Sequence, residues 1–154
     1  NWDVHKESCE EAAFLILLAY RKGEKLAKDS ADQELRAMKK FQIEEYGKEK
    51  NLIGQDFVKF AQDYADIKLK VIKLSLERIK REINAGNPII VPVTAKLLKN
   101  PYYPHPDYHM IVIIGYNGET IITNDPGTRR GAGFEYPFDR IKKAAADYGG
   151  IAFY

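Results

Sequence analysis

The strongest constraint on the fold is a pair of β-forming runs that flank the dipeptide Asn117-Gly118. The first run extends from His109 to Tyr116, and the second extends from Thr120 to Asp125. Asn-Gly between two such runs is the strongest short-range signal for a two-residue hairpin. The sequence therefore predicts an antiparallel hairpin whose open end carries His109 and Asp125.

The register of this hairpin decides whether His109 and Asp125 meet. In a strict two-residue turn, His109 lies opposite Pro126 and Asp125 points to the other face. A one-residue bulge or a longer turn sets Asp125 opposite His109, where the two Cβ atoms are about 5 Å apart. Asn124 is the alternative partner. His109 and Asp125 each have a purely structural explanation as well, because a histidine can cap a strand end and an aspartate can open an Asp-Pro-Gly turn.

The remaining periodicities predict helices first and an antiparallel sheet afterwards, which is an α+β fold. Helices are expected over residues 9–22, 31–46, 54–64, 76–83 and 139–146, and further strands over 67–73, 89–93, 134–137 and 149–154. Ser30 and Gln33 have the spacing of a capping box and indicate the start of the second helix. Gly23 and Gly47 are expected to end the first two helices. Pro92 indicates an edge strand or a bulge. We expect a single domain over 1–154 with a helical insert at about 24–66. The charges of that insert form a solvated face, or alternatively a partner-binding surface.

The only cysteine, Cys9, lies where a strongly apolar helix is expected to begin. Ser8 and Glu11 have the spacing of a capping box, which makes Ser8 the N-cap. A helix N-terminus favours a thiolate, more so beside a cationic neighbour. The structural alternative is that Cys9 is a small buried hydrophobe. Cysteine, histidine and aspartate together supply a nucleophile, its base and an orienting group.

Composition narrows the classes of partner. The net charge of +2, from 24 basic and 22 acidic residues, gives no strong field for nucleic acid. The longest apolar run, Phe14 to Ala19, is far below the roughly 20 residues that span a bilayer. We expect neither a metal nor a cofactor. The histidines lack zinc-ligand spacing, and Gly131-Ala132-Gly133 lacks the helix and lysine of a phosphate-binding loop.

The motifs Ser8-Cys9-Glu10-Glu11-Ala12-Ala13, His109-Met110-Ile111-Val112-Ile113-Ile114-Gly115-Tyr116 and Asn124-Asp125-Pro126 resemble those of papain-like cysteine peptidases. The nearest branch is bacterial and related to the peptidases that cleave double-glycine leaders from bacteriocin precursors. This resemblance implies a papain-like fold, with a central helix that starts at the cysteine and packs on an antiparallel sheet. It implies that Cys9 is the nucleophile, His109 the general base and then acid, and Asp125 the orienting group. The implied reaction is hydrolysis of a peptide or amide bond through a thioester.

One element of the resembling family is absent from residues 1–8, namely a glutamine that donates to the oxyanion. The chain starts at Asn1 without a methionine, so we expect a fragment or a processed product, with that glutamine just upstream of Asn1. His5 is a candidate oxyanion helper, although packing at the helix entry explains it too. Loss of one oxyanion donor typically costs about 100- to 1000-fold in turnover. One alternative is therefore a catalytically weak or inactive peptide-binding module on the same fold. A second alternative is an enzyme that uses the same triad for acyl transfer or as a cell-wall peptide amidase.

The segment from Asn100 to Tyr108 is rich in proline and aromatic residues. Its tyrosines Tyr102, Tyr103 and Tyr108 are candidates for the rim that binds a peptide or protein substrate, and a well-packed surface turn is the alternative. His105, between two prolines, is expected at the surface. An extracytoplasmic or membrane-anchored location of the full-length protein is favoured over a cytoplasmic one. The sequence does not indicate an oligomeric state.

Overall fold

The protein, here a computed structural model, is described for residues 2–102 and 107–154, excluding the side chains of Trp2 and Asp3. It divides into two compact units, Asn1–Lys70 and Val71–Tyr154. The first unit contains helices, and the second contains a six-stranded antiparallel sheet with helices of its own. The predicted α+β class is confirmed, whereas the single domain stays a prediction.

The described part of the first unit contains four helices, which are α1 (Trp2–His5), α2 (Cys9–Lys22), α3 (Lys28–Tyr46) and α4 (Gln55–Ala65). Gly23 and Gly47 follow α2 and α3 with φ values of 67° and 76°, so glycine ends both helices as predicted. The predicted cap of α3 at Ser30 is wrong. The helix starts at Lys28 after Ala27, and Ser30 therefore lies inside its first turn.

An aromatic cluster joins three helices of this unit. Phe14 of α2 lies with its ring centroid 6.1 Å from that of Phe57 and 5.7 Å from that of Phe60, both in α4. Phe41 of α3 contacts Phe60 at 6.2 Å and Tyr64 at 5.2 Å. Edge-to-face aromatic pairs stabilise a core beyond the area that they bury. The segment predicted as an insert therefore contributes to the same core as α2.

The second unit is built on one sheet in which every pair of neighbouring strands is antiparallel. In spatial order the strands are β1 (Val71–Lys73), β6 (Ile151–Phe153), β2 (Ile89–Thr94), β3 (Tyr108–Asn117), β4 (Thr120–Asn124) and β5 (Ala132–Pro137). Its helices are α5 (Leu76–Asn84), α6 (Ala95–Leu98), α7 (Phe138–Ala145) and a short 3-10 turn at Ala146–Tyr148.

One hydrophobic core cluster fills this unit. Alternate residues of β2 and β3 contribute to it because side chains of a strand alternate between the faces of a sheet. They pack with side chains of α5 and α7, and the main members are Ile89, Val91, Val93, Ile111, Ile113, Ile79 and Ile141. The aliphatic runs that predicted strands are therefore the core of the sheet.

The first strand is shorter than predicted, because residues 67–70 lie outside it. The alternation of Ile67, Leu69 and Val71 with lysines predicted a half-exposed strand over 67–73. The strand covers only Val71–Lys73, with Ile72 buried and Val71 42% exposed. Ile72 pairs with Ala152 of β6, and this pairing sets which face is buried.

The interpretation of Pro92 is wrong in one respect, because β2 is an internal strand between β6 and β3. The pairing of β2 with β6 involves Ile90 and Phe153 alone among the described residues, so Pro92 lies beyond it. Pro92 pairs only with Met110 of β3. A missing N–H is tolerated where one side of a strand has no ladder to complete.

The predicted hairpin is present, with its turn shifted by one residue. Asn117 pairs with Thr120, so the two turn residues are Gly118 and Glu119. Gly118 has a φ of 61°, which glycine adopts without strain. The register then shifts between Ile113 and Gly115, and the last pair of the ladder is Val112 with Asn124.

Candidate active site

His109 and Asp125 form a buried pair in the second unit. The Nε2 atom of His109 lies 2.8 Å from Oδ1 of Asp125. His109 is 7% exposed and sits on β3 opposite Val93. Asp125 is 4% exposed and directly follows β4. The two residues are brought together by the hairpin, as the sequence suggested.

Neither of the two registers considered from the sequence produces this contact. Extending the ladder past Val112 and Asn124 sets Asp125 beside Ile111, which is two residues from His109 on the same face. Such diagonal neighbours are within reach of long side chains. Asn124 instead accepts a hydrogen bond from the amide of Gly133, so the described partner of His109 is Asp125.

The carboxylate of Asp125 receives hydrogen bonds on both oxygens. Oδ1 also accepts from the amide of Gly127 at 2.9 Å, which is the turn contact expected for Asp-Pro-Gly. Oδ2 accepts from the hydroxyl of Tyr136 at 3.2 Å. Donors on both oxygens stabilise the charged form of a buried carboxylate and restrict its rotation. Asp125 therefore both opens a turn and holds the imidazole.

Tyr136 and Asn100 are two further site residues that were not predicted from the sequence. Tyr136 is fully buried, and its hydroxyl accepts from Nδ2 of Asn100 at 2.7 Å. Oδ1 of Asn100 accepts from the amide of Tyr102 at 2.9 Å. In the sequence, Tyr136 is one member of an ordinary strand alternation and Asn100 precedes a proline. No spacing rule connects them to Asp125, since the link depends on where the tertiary structure places Asn100 and strand β5 relative to that carboxylate.

Gly131 makes a close approach that no larger residue permits. Its carbonyl accepts from the amide of Asp125 at 2.9 Å. A Cβ atom on Gly131 would lie 1.9 Å from the carbonyl oxygen of Asp125. In the sequence, Gly131 stands out only as part of a glycine-rich segment, which does not predict this contact. Because glycine has no Cβ, the backbone at position 131 can approach Asp125 closely enough to accept the hydrogen bond from its amide.

Cys9 is the first residue of α2, as predicted, and it is half-buried. The predicted capping box is wrong. Ser8 has φ −107° and ψ 29°, its side chain makes no capping bond, and its Oγ has no partner among the residues that the structure describes. The thiol of Cys9 donates to Oε2 of Glu10, with sulfur and oxygen 2.9 Å apart. This neighbour is an anion, whereas a thiolate is favoured by a cation.

Glu10 and Glu11 tie the start of α2 to other parts of the first unit. Oε1 of Glu10 accepts from the amide of Leu52 at 3.2 Å. Oε1 of Glu11 accepts from Nε2 of Gln42 in α3, which explains why Glu11 does not cap its own helix. Oε1 of Gln42 accepts from the amide of Lys50 at 3.0 Å. Burial raises the pKa of Glu11 to about 7, and the charge of Glu10 adds to this effect.

His5 contacts α3 within the first unit. Its Nε2 lies 2.7 Å from Oδ1 of Asp32. Hydrogen bonds from Arg36 and then from His5 lower the pKa of Asp32 to about 2. This contact agrees with the structural explanation of His5, which is packing at the entry of the helix. Its role as an oxyanion helper stays a prediction.

Two of the three predicted rim tyrosines lie in the described part of the chain. Tyr102 is exposed, and its hydroxyl accepts from Nη1 of Arg130 at 2.9 Å while the guanidinium lies over its ring. Tyr108 begins β3 and contacts the ring of Tyr148 at 5.1 Å. Tyr103 and His105 lie outside the described residues. The rim therefore stays a prediction.

Within 2–102 and 107–154, no three or more histidine, cysteine or acidic side chains are grouped so as to hold a metal ion. In the same ranges, no helix has both the length and the apolar character needed to cross a membrane.

Comparison with known proteins identifies the family. The structure is similar to the crystal structure of a candidate C39-like peptidase from Bacillus anthracis, with a TM-score of 0.64 and 15% sequence identity over 95% of this chain and 86% of that one. This likeness confirms the expected fold. No curated protein matches the sequence. The model of the Peptidase_C39 like family matches residues 1–153. This match agrees with the resemblance to papain-like cysteine peptidases and is consistent with the bacteriocin-processing branch. The chain belongs to the Peptidase_C39 like family.

Proposed function

We propose that the protein is a thiol-dependent hydrolase that cleaves a peptide or amide bond with Cys9, His109 and Asp125. The observation that carries the proposal is the buried contact of 2.8 Å between His109 Nε2 and Asp125 Oδ1. A carboxylate accepts but does not donate, so Nε2 carries the proton of a neutral imidazole. The basic nitrogen of that tautomer is Nδ1. An imidazole held in this way is what activation of a thiol requires.

The proposed reaction proceeds in two stages. Nδ1 of His109 takes the proton of the Cys9 thiol, and the thiolate attacks the carbonyl carbon of the substrate. The tetrahedral intermediate collapses to a thioester as the imidazolium protonates the leaving amine. Water, deprotonated by His109, then attacks the thioester and releases the acid and the thiol. The amide of Cys9 at the start of α2 is the proposed oxyanion donor, since N–H groups of a first helical turn point at a bound anion.

The test is cleavage of a peptide library, followed by mass spectrometry, with wild type, Cys9→Ser and His109→Ala. We expect cleavage by wild type and a loss of at least 1000-fold in each variant, because members of such a triad act as a unit. Circular dichroism melts check that both variants fold. Equal cleavage by all three proteins contradicts the proposal.

A second candidate is a peptide-binding module without hydrolysis. The acidic neighbour of the thiol, Glu10, is the observation that favours it, because an adjacent negative charge opposes thiolate formation. The same peptide library distinguishes the two functions. Peptides that bind and are recovered intact, from wild type and Cys9→Ser alike, support the binding module and overturn the hydrolase.

A further inference from the structure

We infer that Tyr136 and Asn100 form a positioning relay that fixes the orientation of the Asp125–His109 pair. The inference rests on the proposed function, since it assigns these residues to the base of that reaction. All four side chains lie in the second unit and are buried, with Tyr136 fully buried and Asn100 8% exposed. Neither Tyr136 nor Asn100 contacts the reacting atoms in the proposed mechanism, so both are positioning residues.

The direction of the relay follows from the donors and acceptors available. Oδ1 of Asn100 accepts from the amide of Tyr102 at 2.9 Å, which identifies the other atom of the Asn100 amide as the nitrogen. That Nδ2 group can only donate, and it lies 2.7 Å from the hydroxyl of Tyr136. The oxygen of Tyr136 therefore acts as an acceptor toward Asn100. Its single proton is directed to Oδ2 of Asp125.

The relay supplies a hydrogen bond to the second carboxylate oxygen of Asp125. Oδ1 contacts Nε2 of His109 and accepts from the amide of Gly127, so these two contacts hold one of the two carboxylate oxygens. The hydroxyl of Tyr136 engages the other oxygen and prevents rotation about the bond to Cβ. The ring of Tyr136 is itself held by Phe134, with centroids 4.8 Å apart. A fixed carboxylate in turn fixes the plane of the imidazole.

The test variant is Tyr136→Phe, which keeps the ring and removes the hydroxyl. We expect kcat on a cleaved peptide to fall about tenfold with KM unchanged, because the hydroxyl acts on the catalytic base and does not contact the substrate. Tyr116→Phe is the matched control, because its hydroxyl contacts Asn84 at 3.0 Å at the exposed end of the strand that carries His109. The control should keep wild-type kcat and KM.

A second readout is independent of peptide cleavage. In protein labelled with ¹⁵N-histidine, the Nε2–H proton of His109 is identified by its absence from His109→Ala, and its exchange with water is measured by NMR. We expect exchange about tenfold faster in Tyr136→Phe, because a mobile carboxylate protects that proton less. Asn100→Ala should change both readouts in the same direction, and it decides the question if Tyr136→Phe does not fold.

The relay is overturned if Tyr136→Phe keeps both the proton exchange rate and the kcat of the wild type. It is also overturned if the substitution changes only KM. If wild type itself cleaves no peptide, the proposed function fails. The exchange measurement still decides whether Tyr136 orients the pair.

Discussion

Nε2 of His109 lies 2.8 Å from Oδ1 of Asp125, at the open end of the hairpin formed by β3 and β4. Both side chains are buried, and the carboxylate is engaged on both oxygens. A buried carboxylate in this position stabilises the imidazolium that forms when a histidine takes up a proton.

Replacement of Asp125 tests the orienting contact. We expect Asp125→Ala to lower kcat by about 1000-fold or more, because the imidazole loses the group that sets its tautomer and direction. Asp125→Asn should retain more activity, since its amide oxygen can still accept from Nε2. Steady-state kinetics measure both, and the exposed Asp139 provides the control Asp139→Ala. Equal activity of Asp125→Ala and wild type contradicts the role.

Gly131→Ala tests the close approach to Asp125. Its Cβ would lie 1.9 Å from the carbonyl oxygen of Asp125, so the backbone must move. We expect the free energy of unfolding to fall by about 1–3 kcal/mol, as is typical of overpacking, together with a loss of kcat. Gly115→Ala is the control, because its Cβ meets Ile122 at an ordinary 3.4 Å. Urea unfolding of both variants measures the difference, and equal stability would refute the steric argument.

Glu10→Gln tests the acidic neighbour of the thiol. The substitution removes a negative charge 2.9 Å from the sulfur and keeps an oxygen that can accept from the amide of Leu52. We expect Cys9 to react severalfold faster with iodoacetamide at pH 7, since a nearby anion disfavours the thiolate. Glu7→Gln, at an exposed position in the preceding turn, should leave the rate unchanged. An unchanged rate in Glu10→Gln contradicts this view of the contact.

The buried carboxyl of Glu11 predicts a dependence of stability on pH. Burial raises its pKa in the folded protein from 4.5 to about 7. Between these values the unfolded chain loses the proton while the folded protein keeps it, so stability falls as pH rises. We expect the free energy of unfolding to decrease by about 3 kcal/mol more between pH 4.5 and 8 in wild type than in Glu11→Gln.

Urea unfolding of wild type and Glu11→Gln across this range measures the effect. Glu24→Gln, in the exposed turn after α2, should behave like wild type. Parallel pH profiles for wild type and Glu11→Gln would show that Glu11 is not protonated in the folded state near neutral pH.

Local patterns were sufficient for most of the elements. Glycine after α2 and α3, a helix start at Cys9 and the hairpin around Gly118 depend on residues close in sequence, and each is found. Capping was the exception. Ser8 and Glu11 have the right spacing, but Glu11 binds Gln42 of α3, and a buried tertiary contact displaced the local one.

The sequence by itself determined the α+β class, the position of Cys9 at a helix start and a hairpin that carries His109 and Asp125 at its open end. It did so because helix ends and hairpins are specified by neighbouring residues. Only the tertiary structure decided the register that brings Nε2 of His109 to Oδ1 of Asp125. It also decided which other side chains hold that carboxylate. Tyr136 and Asn100 are distant from Asp125 along the chain, and Gly131 matters through a backbone approach. Such contacts are set by how strands and loops pack, and no short-range pattern carries that information.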